Sequence, residues 1–164
     1  MILLNIFDVK DMMAALLLSE SFDEYLLEEV NVTTFAKLEI WGRRNNEWYD
    51  SGEANDLPEL LYWKEVKPVI FSYIKGKKTP HSFVISLKLT ESFARTILGE
   101  QLAVQMIDGA GLKLLLHFRF EKGKLSVVTG TSYETFVMDK RADFAWDSGV
   151  KKLLGQMKIA FEEV

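Results

Sequence analysis

Hydrophobic residues at every second position mark the most regular parts of this chain. Leu112, Leu114, Leu116, Phe118 and Phe120 alternate with Lys113, Leu115, His117 and Arg119, and Phe83, Ile85, Leu87 and Leu89 alternate with Ser82, Val84, Ser86 and Lys88. Period two puts each apolar set on one face of a strand. The first run turns at Lys122 and Gly123 and returns over residues 125–130 as a hairpin. Val30, Val32, Thr34, Ala36, Leu38 and Ile40 keep the same period and predict one strand over 30–40. Shorter strands are expected at 1–7, 47–50, 101–107 and 133–138.

Steps of three and four predict the helices. Trp146, Val150, Leu153, Leu154 and Met157 form an apolar stripe over 140–157, with Asp143, Asp147 and Lys151 on what is expected to be a solvated face. Residues 58–75 are apolar nearly all round and predict a mostly buried helix, with Pro58 in its first turn, a bend at Pro68 and Gly76 as terminator. Two short helices are expected at 8–19, with Met12, Ala15 and Leu16 inward, and at 91–98; Asp8 and Thr90 are placed to cap them. Residues 20–29 hold Glu20, Asp23, Glu24, Glu28 and Glu29 and predict a solvated connection anchored by Phe22.

The order strand, short capped helix, strands, long helix occurs twice, over 1–75 and 80–157. The expected fold is therefore an α+β domain spanning 1–164, a pseudo-duplicated strand-helix-strands-helix unit whose halves contribute strands to adjoining sheets. In element order this unit resembles one domain of the DNA sliding clamps. The resemblance implies a DNA-clamp-like architecture, although the helices that would line a ring carry Asp8, Lys10, Asp11 and then Glu91 and Arg95, which is not a basic lining. The motifs FDVKD at 7–11, TTF at 33–35, IKGKKTP at 74–80, VTGTS at 128–132 and IAFEE at 159–163 resemble a family of small proteins of unknown function from anaerobic Gram-positive gut bacteria.

Composition narrows the chemistry. Hydrophobic residues at 48% with three prolines and ten glycines describe a chain that packs a core. The net charge of -4 offers no bulk attraction to nucleic acid or anionic lipid, so such contact would need a local patch. The absence of cysteine excludes disulfides, thiolate metal sites and thiol nucleophiles. With no basic leader and no long apolar run, the protein is expected to be cytoplasmic and without a membrane association, and the family resemblance implies a bacterial source.

The densest positive cluster is Lys75, Gly76, Lys77, Lys78, Thr79, Pro80 and His81. Three lysines, a hydroxyl and the N–H groups of a turn suit a phosphate or a nucleic-acid backbone, and the same lysines would offset the negative end of the preceding helix. His117 projects beside Lys113 and Arg119, which disfavour its cation. No metal-ligand spacing, cofactor motif or adjacent base for Thr129, Thr131 or Ser132 is present. Residues 156–161, QMKIAF, resemble the short peptide that docks onto sliding clamps, but Met157 belongs to the helix stripe, and a terminal strand or packed tail is expected there. The function expected is a non-catalytic binding or interaction module for an anionic ligand or a nucleic-acid-associated complex, engaged through Lys75, Lys77, Lys78, Thr79 and His81. One alternative is an enzyme acting on a phosphorylated small molecule at that turn, which would need His81 and a carboxylate to converge. Another is a self-associating structural protein, with a protein partner or a second copy meeting an apolar surface near Trp41, Trp48 or the C-terminal tail.

Overall fold

The computed structural model describes residues 1–164 and builds them around a seven-stranded, wholly antiparallel sheet. The elements run β1 (Leu3–Ile6), α1 (Val9–Leu17), β2 (Leu26–Thr33), β3 (Lys37–Trp41), α2 (Trp63–Ile74), β4 (Ser82–Lys88), α3 (Glu91–Leu98), α4 (Glu100–Ala103), β5 (Lys113–Glu121), β6 (Lys124–Ser132), α5 (Arg141–Gln156) and β7 (Phe161–Glu163). The sheet order is β3-β2-β4-β5-β6-β1-β7. The α+β expectation is met.

The core lies on one face of the sheet because the register keeps the alternating sets in line. Phe83, Ile85 and Leu87 stand opposite Phe120, Phe118 and Leu116, and Phe120 and Phe118 opposite Leu125 and Val127. These side chains form one buried cluster with Met12 and Leu16 of α1, Trp63, Val66 and Ile70 of α2, and Trp146, Val150 and Leu154 of α5. Burial of such side chains stabilises the fold by roughly 1.5–3 kcal/mol each before conformational entropy is charged. Two indoles tie helices to neighbouring backbone: Trp63 Nε1 donates to Leu16 O at 2.8 Å and Trp146 Nε1 to Leu115 O at 2.8 Å. Lys122 and Gly123 both adopt positive φ, 53° and 75°, which the two-residue turn of the β5–β6 hairpin requires.

The element order recurs in outline, as β1-α1-β2-β3-α2 and then β4-α3-α4-β5-β6-α5, the second set having α4 and the helical turn after it as additions. The two sets do not occupy equivalent places: β4 lies between β2 and β5, whereas β1 lies between β6 and β7. All seven strands share one sheet, not the adjoining sheets expected.

Several local expectations change. The strand expected at 30–40 is the hairpin β2–β3, whose register pairs Val32 with Leu38 and Val30 with Ile40 across a turn at 34–36. The strand expected at 47–50 is a single 3₁₀ turn, Asn46–Trp48. The helix expected from 58 begins at Trp63, because residues 59–61 are taken up by extended pairing: Arg44 N–H donates to Glu59 O, Leu61 N–H to Gly42 O, and Leu27 N–H to Leu61 O. That helix continues through Pro68 and is less buried than expected, with Val69 on its outer side 54% exposed. The strand expected at 101–107 is helical, since Ala103, Met106 and Ala110 face inward at steps of three and four. Residues 133–138 form no strand.

At the helix starts, Thr90 caps α3 by accepting from Phe93 N–H at 3.4 Å. Asp8 does not cap α1; its Oδ2 accepts from Ala160 N–H at 3.0 Å and so holds the last segment, where Ile159 is buried and β7 pairs with β1. In the acidic connection, Phe22 is buried as expected, and Asp23 and Glu24 pair with Lys67 and Lys64 of α2.

Candidate functional site

At one end of the sheet the β2–β3 turn meets the segment joining α2 to β4. His81 N–H donates to Thr33 O at 2.9 Å, extending the β2–β4 ladder by one residue, and the Tyr73 hydroxyl donates to Ala36 O at 2.6 Å, pinning the turn to the last turn of α2. Between them lies a groove of about 580 Å³. Lys75, Lys77, Lys78, Thr79 and His81 all line it, joined by Thr34, Phe35, Tyr73, Ile74 and Gly76.

The electrostatics of this groove are one-sided. None of its lining residues is acidic, whereas each of four other cavities, of about 300–590 Å³, contains at least one carboxylate. The lysines that form ion pairs are Lys37, Lys64, Lys67 and Lys151, so Lys75, Lys77 and Lys78 remain uncompensated. Lys75 Nζ lies 5.8 Å from the centre of the Phe71 ring, a cation–π contact that orders the stem and leaves the charge unneutralised. The convergence of His81 with a carboxylate, which phosphoester chemistry here would require, is not found in the groove.

The sequence did not point to three of the residues in this groove. Thr34 and Phe35 come from the turn hidden inside the strand expected at 30–40, and Tyr73 from the far side of α2. Thr34 Oγ1 is the one buried side-chain polar atom without a hydrogen-bond partner in the protein. A buried hydroxyl without a partner costs on the order of 1–3 kcal/mol. The signal available in the sequence was length: an eleven-residue strand exceeds the usual run of about five or six.

Two further constellations have structural roles. Asp143 and Asp147, expected on a solvated face, point at the sheet and are both nine-tenths buried. Asp143 accepts from the hydroxyls of Thr131 at 2.7 Å and Tyr133 at 3.0 Å, and Asp147 accepts from Thr129 and from the Met1 nitrogen, at 3.2 Å for the latter. They latch α5 onto β6, and Lys151 pairs with Glu163. Burial, with the Asp143 hydrogen bond, pushes the Tyr133 phenol above its ordinary range.

On the other face of the sheet Ser86 and His117 are cross-strand partners, with Ser86 Oγ 2.8 Å from His117 Nδ1. Ser86 is buried, and with His117 it lines a cavity of about 350 Å³. Burial first, and Arg119 second, hold the His117 imidazole below its ordinary value of 6.5, so it is neutral near pH 7. The unfolded chain therefore binds a proton more readily than the folded one, and stability falls as pH drops from 6.5 through the lowered value. Urea midpoints at about pH 8 and about pH 5 should differ more for the native protein than for His117→Gln; equal differences would assign the acid sensitivity elsewhere.

The class defined by this fold and groove is an α+β protein with a helix-covered antiparallel sheet and an uncompensated basic groove at one sheet end. The chain belongs to a family of unknown function, DUF5721, whose profile matches residues 15–162. No curated protein and no solved structure matches it. No helix is long and apolar enough to cross a membrane.

Proposed function

We propose that this protein is a non-catalytic binding module for an anionic, phosphate-bearing ligand, held in the groove by Lys75, Lys77, Lys78, Thr79 and His81. The observation that carries the reading is the one-sided charge of the groove: three unpaired lysines and a histidine with no carboxylate among its lining residues, in a chain of net charge -4. The ammonium groups supply the attraction, and the hydroxyl of Thr79 can donate to a phosphate oxygen. The turn that carries the lysines is closed on the β2–β3 hairpin by the Tyr73 and His81 hydrogen bonds, so less ordering has to be paid on binding. We place the module in a bacterium, as the sequence resemblance implied, and in its cytoplasm, where phosphorylated ligands are abundant.

The test is calorimetric titration with inorganic tripolyphosphate at low and high salt. Native protein should bind, more weakly as salt rises. Three exposed charge contacts at about 0.5–1 kcal/mol each put the loss in Lys75→Glu/Lys77→Glu/Lys78→Glu at roughly ten- to hundredfold. Absence of binding at low salt, or equal binding by the variant, would sink the reading.

A further inference from the structure

Phe35 sits at the tip of the β2–β3 turn, 94% exposed, on the wall of the basic groove. An isolated exposed aromatic is ordinary, but this one has an aromatic neighbour. Its ring centre lies 5.9 Å from that of Tyr73, tilted by 46°, and the Tyr73 hydroxyl is in turn bonded to Ala36 O, the residue after Phe35. An aromatic pair is thus presented to solvent beside Lys75, Lys77 and Lys78. Building on the anion-binding reading, we propose that the ligand of this groove is single-stranded nucleic acid, with a base stacked on Phe35 and the adjoining phosphates on the three lysines.

The chemistry separates the parts. Lysines attract any polyanion and cannot distinguish a nucleic acid from polyphosphate. An exposed aromatic face adds a contact only for a ligand that carries flat rings, and only where those rings are not already stacked within a duplex. The groove holds no array of paired donors and acceptors of the kind that reads base edges, so binding is expected to be tolerant of sequence.

The experiment compares three probes: a fluorescein-labelled mixed-sequence single-stranded DNA oligonucleotide, the same sequence as a duplex, and inorganic tripolyphosphate. Each is titrated against native protein, Phe35→Ala and the triple lysine reversal. The native protein should prefer the single strand to the duplex, with a logarithmic salt slope near -2 for about three phosphate contacts. Phe35→Ala should lose about tenfold or more for the single strand while binding tripolyphosphate as the native protein does. Because Phe35 is exposed, this variant is expected to fold, and an unchanged thermal transition checks that it does. The inference is overturned if Phe35→Ala binds the oligonucleotide within twofold of native, if the duplex binds as tightly as the single strand, or if tripolyphosphate binds and the oligonucleotide does not. The last outcome leaves the anion-binding reading standing, whereas failure of tripolyphosphate as well removes both.

Discussion

Gly42→Ala is expected to destabilise the protein by more than about 3 kcal/mol, lowering the thermal midpoint by roughly 6–12 °C. A Cβ at this position would lie 1.6 Å from Leu27 O and 2.5 Å from Leu27 C, both backbone atoms that cannot rotate away. The approach is close because the β2–β4 register slips between Leu27 and Glu29, and because Gly42 and Leu27 are both bonded to Leu61. Gly42 O accepts from Leu61 N–H at 2.7 Å, and Leu27 N–H donates to Leu61 O at 2.8 Å. A methyl group would therefore have to displace the start of β2, the end of β3 and the segment leading into α2. Gly155 within α5 supplies the control, since a Cβ there meets nothing within 4 Å. Alanine at 155 should stabilise by about 0.5–1 kcal/mol, as glycine in a helix interior is unfavourable relative to alanine. Thermal melts of the two variants check the contrast, and a near-neutral Gly42→Ala would refute the packing described around Leu61.

Glu65→Ala is the second large effect, expected at about 3 kcal/mol near neutral pH. The Arg44 side chain is only 1% exposed, and its guanidinium meets Glu65 through two bonds of 2.8 Å. Tyr49 OH at 2.7 Å, Pro58 O at 2.9 Å and Leu60 O at 3.4 Å complete its shell. Removing Glu65 leaves a buried cation with uncharged partners only, and it also removes the acceptor for Tyr62 N–H at the start of α2. Replacing both members, Arg44→Met with Glu65→Leu, should recover much of the loss, because no isolated charge then remains buried.

The same pair fixes a pH dependence. The Arg44 hydrogen bond holds the Glu65 carboxyl below its ordinary 4.5. Its contribution to stability is therefore complete above about 4.5 and is lost as pH falls through the lowered value. The gap in urea midpoint between native and Glu65→Ala should narrow below that point. A gap that stays constant across the range would show that the charge of Glu65 is not what stabilises Arg44.

Much of the sheet was visible in the sequence because the helices cover only one of its faces. Alternation at 83–89 and 112–120 then reports burial directly. The hairpin β2–β3 was invisible for a definite reason. Thr33 pairs with Lys37 across a three-residue turn, so the even-numbered residues of both strands share one face and period two passes through the turn unbroken. Phe35 was hidden with it. Asp143 and Asp147 misled because charge was taken to mean solvent. Across the helix-sheet contact stand Thr129 and Thr131, whose hydroxyls satisfy the carboxylates, a pairing that depends on tertiary contact. The lysine cluster was plain as composition. That no carboxylate joins it follows from which loop folds beside it, and linear order holds no such information.

The central claim is that the groove between the β2–β3 turn and the α2–β4 connection is where this protein meets an anion. The most direct test is a titration of isotope-labelled protein with tripolyphosphate, followed by amide chemical shifts. The predicted result is a set of saturable shifts confined to Thr34, Phe35 and the amides from Lys75 to His81 excluding Pro80, absent in the triple lysine reversal. Shifts centred instead on the opposite sheet face around Lys88 and Lys113, or no saturable shifts at all, would contradict it.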